Sequence, residues 1–435
     1  MQAKMVESVM RRVKILAVTL LACVWPLAAT SGQQAASAPV PATEQLPGGA
    51  RWTAEVPANW NGTLLLYSRG YSPNAGDPAA APQQHREALL AAGYAIAGSD
   101  YGSGGWAIEQ AVPAQRATIA AFAAKHGKPK RVIAWGSSMG GLVTTALAEM
   151  KGSGIDGAAP MCASIGGSLG MMNMALDGAY AFRTLIAPDA GIRLVDVDDD
   201  RVNGKRVADA LAKAVTTPQG RARIALAGVL AGIPDWTRRD RPQPMVGDYQ
   251  AQAEEIASAF VMGVYLPRTD QEQRAGGAFS WNSGIDYREQ LRLSGRGAMV
   301  AALYAEAGLA LDDDLNRLNA GERVVADPQA VEYMRAHYAP NARPLVPLVA
   351  VQTFGDGMTA PAMQRGYAEA ARGDIKSLYV NAAGHCTFDT PTLLATITYL
   401  DRRIDSGKWG ATPAVFAPHT PAPMLRPCVR GGTCK

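Results

Sequence analysis

The sequence has little charge of either sign. Only 18% of its 435 residues are Asp, Glu, Lys or Arg, whereas 48% are hydrophobic. Disordered chains show the opposite balance, so this composition predicts a packed fold, with length for two domains or for one domain carrying a large insertion. The formal net charge is +4, and residues 1–36 carry +3 of it. We therefore expect no strongly basic face and no nucleic-acid partner.

Long apolar runs are also scarce, and the one near the N-terminus is short. A basic segment, 10–14, precedes the apolar segment 15–25, and a small-residue stretch follows to residue 38. This order is typical of a secretory signal peptide, predicted here over 1–36, and the apolar segment is too short to span a bilayer comfortably. We expect an exported protein, periplasmic or secreted, without an integral membrane span. Alternatively, Cys23 becomes the acylated N-terminus of a lipoprotein.

Cysteine is rare, with five in the chain and four once Cys23 leaves with the signal. Cys428 and Cys434 flank a short Gly-containing stretch, which predicts a disulfide, and an exported chain can keep such a bond. For Cys162 and Cys386, a disulfide and two small buried thiols remain equally open.

Patterns for metals and nucleotides are missing or incomplete. No Cys/His cluster has zinc spacing, and the acidic run 196–200 lacks the glycine and the bidentate acid of a calcium loop. The glycine-rich loop 100–106 has neither the dinucleotide spacing nor a lysine partner. We therefore predict no metal and no cofactor.

Short apolar segments alternate with helical ones over much of the chain, which predicts a mostly parallel sheet flanked by helices, an α/β fold. Predicted strands are 63–67, 93–100, 131–135, 156–161, 345–351 and 376–380; predicted helices are 79–92, 113–126, 142–150, 360–372 and 391–404. Between them lie amphipathic stretches without clear strands, such as 207–215 and 249–265. The predicted organisation is signal 1–36, linker 37–49, core 50–165, an inserted helical cap 166–338, core 339–410 and tail 411–435.

The segment 136–140, Gly-Ser-Ser-Met-Gly, follows a predicted strand and precedes a predicted helix. A sharp turn there lifts the Ser138 hydroxyl above the sheet, and the flanking glycines leave room for the backbone. An ordinary glycine-rich turn is the alternative. The context favours a nucleophile elbow with Ser138 as nucleophile.

A serine nucleophile needs a base to take its proton and a carboxylate to orient that base. Asp356 ends the strand after the predicted cap, and His385 follows the last predicted strand. Asp374 and Asp389 are rival acids, and Asp356 is favoured because Asp374 leads into a strand from its wrong end. The remaining histidines lie elsewhere in the predicted pattern: His85, His126, His337 and His419.

Two backbone donors should stabilise the negative charge that develops on the substrate oxygen. We expect them to be the N–H groups of Met139, at the start of a helix, and of Tyr71, in the loop after an early strand. Trp106 and Tyr101, from the glycine-rich loop 100–106, are expected to border the substrate cleft.

On the segment 136–140, Asp356 and His385, in that order, the chain resembles the α/β-hydrolase superfamily, and in particular exported bacterial members with a helical cap after the sixth strand. The resemblance covers 61–161 and 345–404. His385-Cys386 is also similar to half of the cysteine-flanked triad of tannases and feruloyl esterases, although Ser137 stands where that family has its other cysteine.

The resemblance implies an α/β-hydrolase fold and an exported serine hydrolase. Such an enzyme would cleave a carboxylic ester, of a small or oligomeric substrate, through an acyl-enzyme intermediate. A serine peptidase or aminopeptidase with the same triad is the first alternative. A non-catalytic binding protein on a hydrolase scaffold is the second.

Overall fold

The computed structural model describes residues 43–265 and 267–434. The predicted signal peptide, including Cys23, lies outside this range. Part of the predicted linker lies inside it: Glu44–Gln45 forms a short strand, β1, that pairs with β2, Arg51–Glu55. Regular structure thus begins earlier than the predicted start at residue 50. Two residues are too few for a readable alternation, so only the pairing partner reveals this edge strand.

One sheet organises the described chain, in the order β1-β2-β4-β3-β5-β6-β7-β8. Neighbouring strands from β4 to β8 are parallel, while β1 and β2 run antiparallel at one edge. The strands after β2 are β3 Thr63–Ser68, β4 Ala95–Ser99, β5 Arg131–Ser137, β6 Gly157–Met161, β7 Leu348–Gly355 and β8 Ile375–Ala383. Every residue of β3 is buried, as a strand covered by helices on both faces must be. The predicted mostly parallel α/β sheet is confirmed.

Four helices connect these strands, α1 Gln83–Ala91, α2 Ile108–His126, α3 Met139–Ala148 and α13 Pro361–Ala370, and a fifth, α14 Thr390–Ser406, follows β8. Helix α2 begins earlier than the predicted start at Pro113, which lies inside it. A proline inside a helix removes one backbone hydrogen bond. Burial of Ile108 and Ala111 in the first turn offsets that loss.

Between β6 and β7 the described residues form helices joined by loops; a separate cap over 166–338 stays a prediction. The helices are α4 Ser168–Leu185, α5 Asp200–Ala214, α6 Pro218–Leu230, α7 Tyr249–Val264, α8 Thr269–Ala275, α9 Tyr287–Leu293, α10 Gly297–Glu306, α11 Leu311–Ala320 and α12 Pro328–Tyr338. Residues of these elements form a hydrophobic cluster of their own, which includes Phe182, Ile224 and Phe260. Among the described residues no helix has the length and apolar character needed to cross a membrane.

The C-terminal segment 411–434 lacks helices and strands, yet it is packed against the rest of the chain rather than loose. Its Arg426 side chain is fully buried and lies 2.7 Å from Asp177 of α4, which is 1% exposed. Arg426 also donates a hydrogen bond to the Trp281 carbonyl oxygen over 2.9 Å. Cys428 and Cys434 form the predicted disulfide. The segment therefore ties the inserted helices to the C-terminal end of the chain.

Replacing Arg426 by methionine is expected to lower the free energy of unfolding by about 3–5 kcal/mol, because Asp177 would stay buried without its cation. Burial raises the pKa of Asp177 and the Arg426 charge opposes this, so the variant's pKa rises further. A carboxyl group with a raised folded-state pKa destabilises the fold as the pH rises above its unfolded pKa. Urea unfolding at pH 5 and pH 8 should therefore show a larger loss at pH 8; an equal loss at both would contradict this explanation.

Candidate active site

Ser138 occupies a sharp turn between β5 and α3. Its backbone has φ 58° and ψ −124°, a conformation that a non-glycine residue adopts only when the surroundings impose it. The Ser138 N–H donates to the Met161 carbonyl oxygen over 3.1 Å. A β-carbon added to Gly136 or Gly140 would lie 2.5 Å and 2.0 Å from backbone oxygens. The glycines of the predicted elbow are thus required by the close approach of α3 to the ends of β5 and β3.

Asp356 follows β7 directly and its carboxylate is completely buried. The Oδ1 atom accepts hydrogen bonds from the N–H groups of Met358 and Thr359, both over 2.9 Å, and Oδ2 accepts from the Thr359 hydroxyl over 2.8 Å. His385 Nδ1 lies 2.8 Å from the same Oδ2. A neutral imidazole that donates from Nδ1 keeps Nε2 as a proton acceptor.

The rival acids are engaged elsewhere. Asp374 accepts a hydrogen bond from Trp409 Nε1 over 2.6 Å and forms an ion pair with Arg403. Asp389 caps the N-terminus of α14 by accepting from the Thr392 N–H over 2.8 Å. Of the three candidate acids, Asp356 is the one in contact with the imidazole of His385.

A disulfide fixes the position of the His385 loop. Cys386 is bonded to Cys162, which follows β6, and ligand-type atoms of Cys162, His385 and Cys386 lie within 4.8 Å of one another. Cys162 comes directly after Met161, the residue that accepts the Ser138 N–H. The disulfide therefore holds the imidazole at the sheet edge where Ser138 lies. Because both sulfurs are used in the bond, this group does not offer thiolates to a metal ion.

Among the hydrogen bonds of the described residues there is none between Ser138 and His385. The imidazole Nε2 lies 3.3 Å from Cys386 Sγ instead. Contacts between nucleophile and base are often long in enzymes without substrate and shorten when it binds. The proposed reaction requires Nε2 of His385 to reach the Ser138 hydroxyl while Nδ1 keeps its contact with Asp356.

The other four histidines have different partners. His85 Nδ1 lies 2.9 Å from the Thr390 hydroxyl, and His337 lies 3.3 Å from Glu109. His126 contacts the Phe122 ring, and His419 stacks on Phe354. These contacts favour His385 over all of them as the base for Ser138.

The loop after β3 borders the nucleophile. A β-carbon added to Gly70 would lie 3.4 Å from Ser138 Cβ and 4.0 Å from its Oγ. Tyr71 follows Gly70, and Met139 is the first residue of α3. Of the two predicted donors, Met139 follows Ser138 in the sequence and Tyr71 belongs to the neighbouring loop. Their role at the substrate oxygen stays a prediction.

Trp106 and Tyr101 are both largely buried, at 4% and 2% exposure. The Trp106 N–H donates to Asp270 of α8 over 2.7 Å. Tyr101 donates its hydroxyl to the Arg69 carbonyl oxygen over 3.1 Å, and the Arg69 guanidinium lies 4.5 Å above its ring. Trp106 and Tyr101 therefore stabilise the positions of neighbouring segments, at Asp270 and Arg69 respectively. Substrate contact by either residue stays a prediction.

Elements of the inserted helices also border the loops that carry the acid and the histidine. Added β-carbons on Gly355 and Gly357 would lie 2.1 Å from the Trp236 carbonyl oxygen and 2.6 Å from Ala259. A β-carbon on Gly384, next to His385, would lie 2.9 Å from Arg239 Cγ. The insertion is thus in direct contact with two sides of the candidate site.

Sequence reasoning missed Thr359 and left the pairing of Cys162 with Cys386 open. Thr359 has a hydroxyl that contacts Asp356 and lies 3.2 Å from His385 Nδ1, but a threonine after an acid carries no sequence signal of its own. The Cys386 beside His385 was a signal, and its partner Cys162 stands at the end of the neighbouring strand rather than beside Ser138. Only the sheet order brings these two cysteines together.

No family model matches the chain. Over 406 residues it is 27% identical to o-phthalyl amidase of Xanthobacter agilis, a similarity that covers 84% of this chain and 88% of that protein.

Among solved structures, the chain is similar to proline iminopeptidase of Mycobacterium smegmatis, with 13% identity over 84% of this chain and 100% of that one and a TM-score of 0.39. It is also similar to feruloyl esterase B from Aspergillus oryzae, with 11% identity, coverage of 86% and 88%, and a TM-score of 0.40. With its sheet order and the turn at Ser138, the chain has the α/β-hydrolase fold.

Proposed function

We propose that this protein is a serine hydrolase that transfers an acyl group from a carboxylic amide or ester to water. The observation that carries the proposal is the contact of His385 Nδ1 with the buried Asp356 carboxylate, at the sheet edge where Ser138 occupies a strained turn. A buried carboxylate with three further hydrogen bonds is rigid, so it can hold the imidazole in one orientation.

In the proposed reaction His385 Nε2 takes the Ser138 proton as Oγ attacks the substrate carbonyl carbon. The carbonyl π electrons move to oxygen, where the N–H groups of Met139 and Tyr71 stabilise the charge. The imidazolium then protonates the leaving amine or alcohol and the acyl-enzyme forms. Water, deprotonated by His385, attacks the acyl carbon, and Ser138 leaves with the returned proton.

The two bond types have different support. The ester is the substrate expected from the sequence pattern, whereas the relative with 27% identity is an amidase. An amide needs its leaving nitrogen protonated, and His385 can supply that proton. We propose amide cleavage as the activity to test first and ester cleavage as the second.

We further propose that the protein is exported and that the inserted helices act as a cap that sets substrate size. The N-terminal pattern supports export, and so do two disulfides, which persist in oxidising compartments. The contacts of Trp236, Ala259 and Arg239 with the acid and histidine loops support the cap.

Labelling with a fluorophosphonate tests the proposal directly. The reagent should modify the protein once, and peptide mass spectrometry should place the adduct on Ser138. A panel of aryl amides and aryl esters, assayed with the same preparation, then ranks the two bond types. Absence of labelling in folded protein, together with no turnover on the panel, would revive the non-catalytic binding protein as the better reading.

A further inference from the structure

Arg69 lies in the loop after β3, next to Ser138, and it has no acidic partner within residues 43–265 and 267–434. It precedes Gly70, whose added β-carbon would lie 3.4 Å from Ser138 Cβ, and its own carbonyl oxygen lies 2.5 Å from a β-carbon added to Gly140 of the elbow. Its side chain is only partly buried. Arg69 thus belongs to the loop that borders the Ser138 elbow.

The guanidinium of Arg69 is held by carbonyl oxygens alone. It donates to those of Gly70 over 3.1 Å, Asp100 over 3.1 Å and Ser103 over 2.7 Å. In the described part of the chain no Asp or Glu forms an ion pair with it. The Asp100 carboxylate is taken by Arg51, whose N–H and Nε both donate to it over 2.8 Å. The positive charge of Arg69 is therefore not neutralised.

The Arg69 guanidinium has more N–H donors than hydrogen bonds in the structure. A guanidinium has five N–H groups, and three contacts to carbonyl oxygens are formed here. The Nε–H is buried without a partner. Buried donors without partners are rare and call for a functional or structural reason.

The position of the guanidinium is also fixed in advance. Tyr101 lies below it, 4.5 Å from the guanidinium carbon to the ring centre, and the Tyr101 hydroxyl donates to the Arg69 carbonyl oxygen. Tyr101 itself has φ 63°, a left-handed conformation that costs energy in a tyrosine. The charge also acts on its surroundings: burial raises the pKa of Tyr67 to about 12, and Arg69 opposes that rise.

From these observations we infer that Arg69 binds a carboxylate carried by the acyl part of the substrate, near the bond that is cut. The substrate class is then the half-amides and half-esters of dicarboxylic acids, with an aromatic ortho-dicarboxylic acid as the compact example. The inference rests on the proposed function and names its substrate. An anchored guanidinium gives both charge and direction to such a contact, and a neutral acyl group leaves it unused.

The experiment measures hydrolysis of three substrates by the full mature chain. The substrates are the 4-nitroanilides of 2-carboxybenzoic, 4-carboxybenzoic and benzoic acid. The wild type should show kcat/KM at least ~30-fold higher for the ortho acid than for the neutral compound, as expected for one charge-assisted contact. Arg69→Gln should remove that preference, so that the ratio of kcat/KM for the ortho acid to kcat/KM for the neutral compound falls to about 1 in the same preparation. Arg69→Lys should recover part of it, since charge remains and the planar fork is lost.

Arg239→Gln is the matched control. Arg239 also lacks an ion pair in the part of the chain that the structure describes, and it lies beside Gly384 on the histidine side. This variant should keep the ortho preference. A loss of preference in Arg239→Gln with retention in Arg69→Gln would overturn the inference, as would equal loss for all three anilides in Arg69→Gln.

Inhibition gives a second measurement that does not need anilide cleavage. Phthalate should compete with p-nitrophenyl acetate in the wild type at least ~30-fold better than benzoate does, and Arg69→Gln should abolish the difference. If Ser138-dependent ester hydrolysis persists but phthalate and benzoate inhibit alike, the inference fails and the proposed function stands. If ester hydrolysis does not depend on Ser138, the proposed function itself fails.

Discussion

Ser138→Ala is expected to lower kcat by about 10⁶-fold on any amide or ester that the protein hydrolyses. In the proposed reaction the hydroxyl oxygen of Ser138 forms the acyl-enzyme, and the neighbouring Ser137 is the last residue of β5 rather than the residue of the sharp turn. Alanine fits the site without steric change. Steady-state assays with mass-spectrometric checks for residual wild type would measure the loss, and unchanged circular dichroism would show that the fold persists.

A pair of matched aspartate variants tests the rest of the proposed triad. Asp356→Asn should lower kcat by about 10⁴-fold, because an amide at this position favours the wrong tautomer of His385. Asp374 directly precedes β8, at the end of the strand opposite to His385, and its carboxylate is bound to Trp409 and Arg403. Asp374→Asn should therefore leave kcat within a few-fold of the wild-type value. A larger loss in Asp374→Asn than in Asp356→Asn would contradict the assignment of the acid.

Removing the Cys162–Cys386 disulfide by replacing both cysteines with alanine is expected to lower the free energy of unfolding by about 5 kcal/mol. The bond closes a loop with a sequence separation of 224 residues, and constraint of the unfolded chain grows with loop length. Both cysteines also have positive φ, 41° and 55°, so the bond holds two residues in conformations they rarely adopt alone.

The same change should reduce kcat/KM by up to ~10²-fold even where the variant is folded. Cys386 is the residue after His385, and a displacement of about 1 Å at a catalytic group can have an effect of that size. The Cys428–Cys434 disulfide, with a separation of six residues, provides the control. Its removal should lower stability by only about 2 kcal/mol and leave kcat/KM unchanged; equal kinetic losses in the two variants would show that Cys162–Cys386 has no special role at His385.

The core of the fold was predictable because its signals are local. Strand β3, predicted over 63–67, forms over 63–68, and helix α14, predicted over 391–404, spans Thr390–Ser406. Apolar runs bounded by glycine mark buried strands, and helix caps mark helix ends, without reference to distant residues. The strands β1 and β2 were missed because their partly exposed patterns are weak; pairing with β4 decides the place of β2, and pairing with β2 decides that of β1.

The candidate site was predictable only in part, for a related reason. Asp356 and His385 follow strands whose carboxyl ends meet at one sheet edge, so their order along the chain indicated the pair that the structure brings to 2.8 Å. The pairing of Cys162 with Cys386 remained open, because it depends on the order β6-β7-β8 in the sheet. Tyr101 was expected to border the substrate cleft. Its contact with Arg69 depends on the conformation of the loop 100–106, which the sequence pattern did not predict.

The sequence alone determined the alternation of strands and helices, the turn at Ser138 and the chain order of Ser138, Asp356 and His385, since each rests on neighbouring residues or on chain order. The tertiary structure decided which carboxylate contacts His385, which cysteines pair, and that Arg69 is left without an acidic partner. Those facts depend on distances between residues far apart in the chain, and such distances are set by how the sheet and the inserted helices pack.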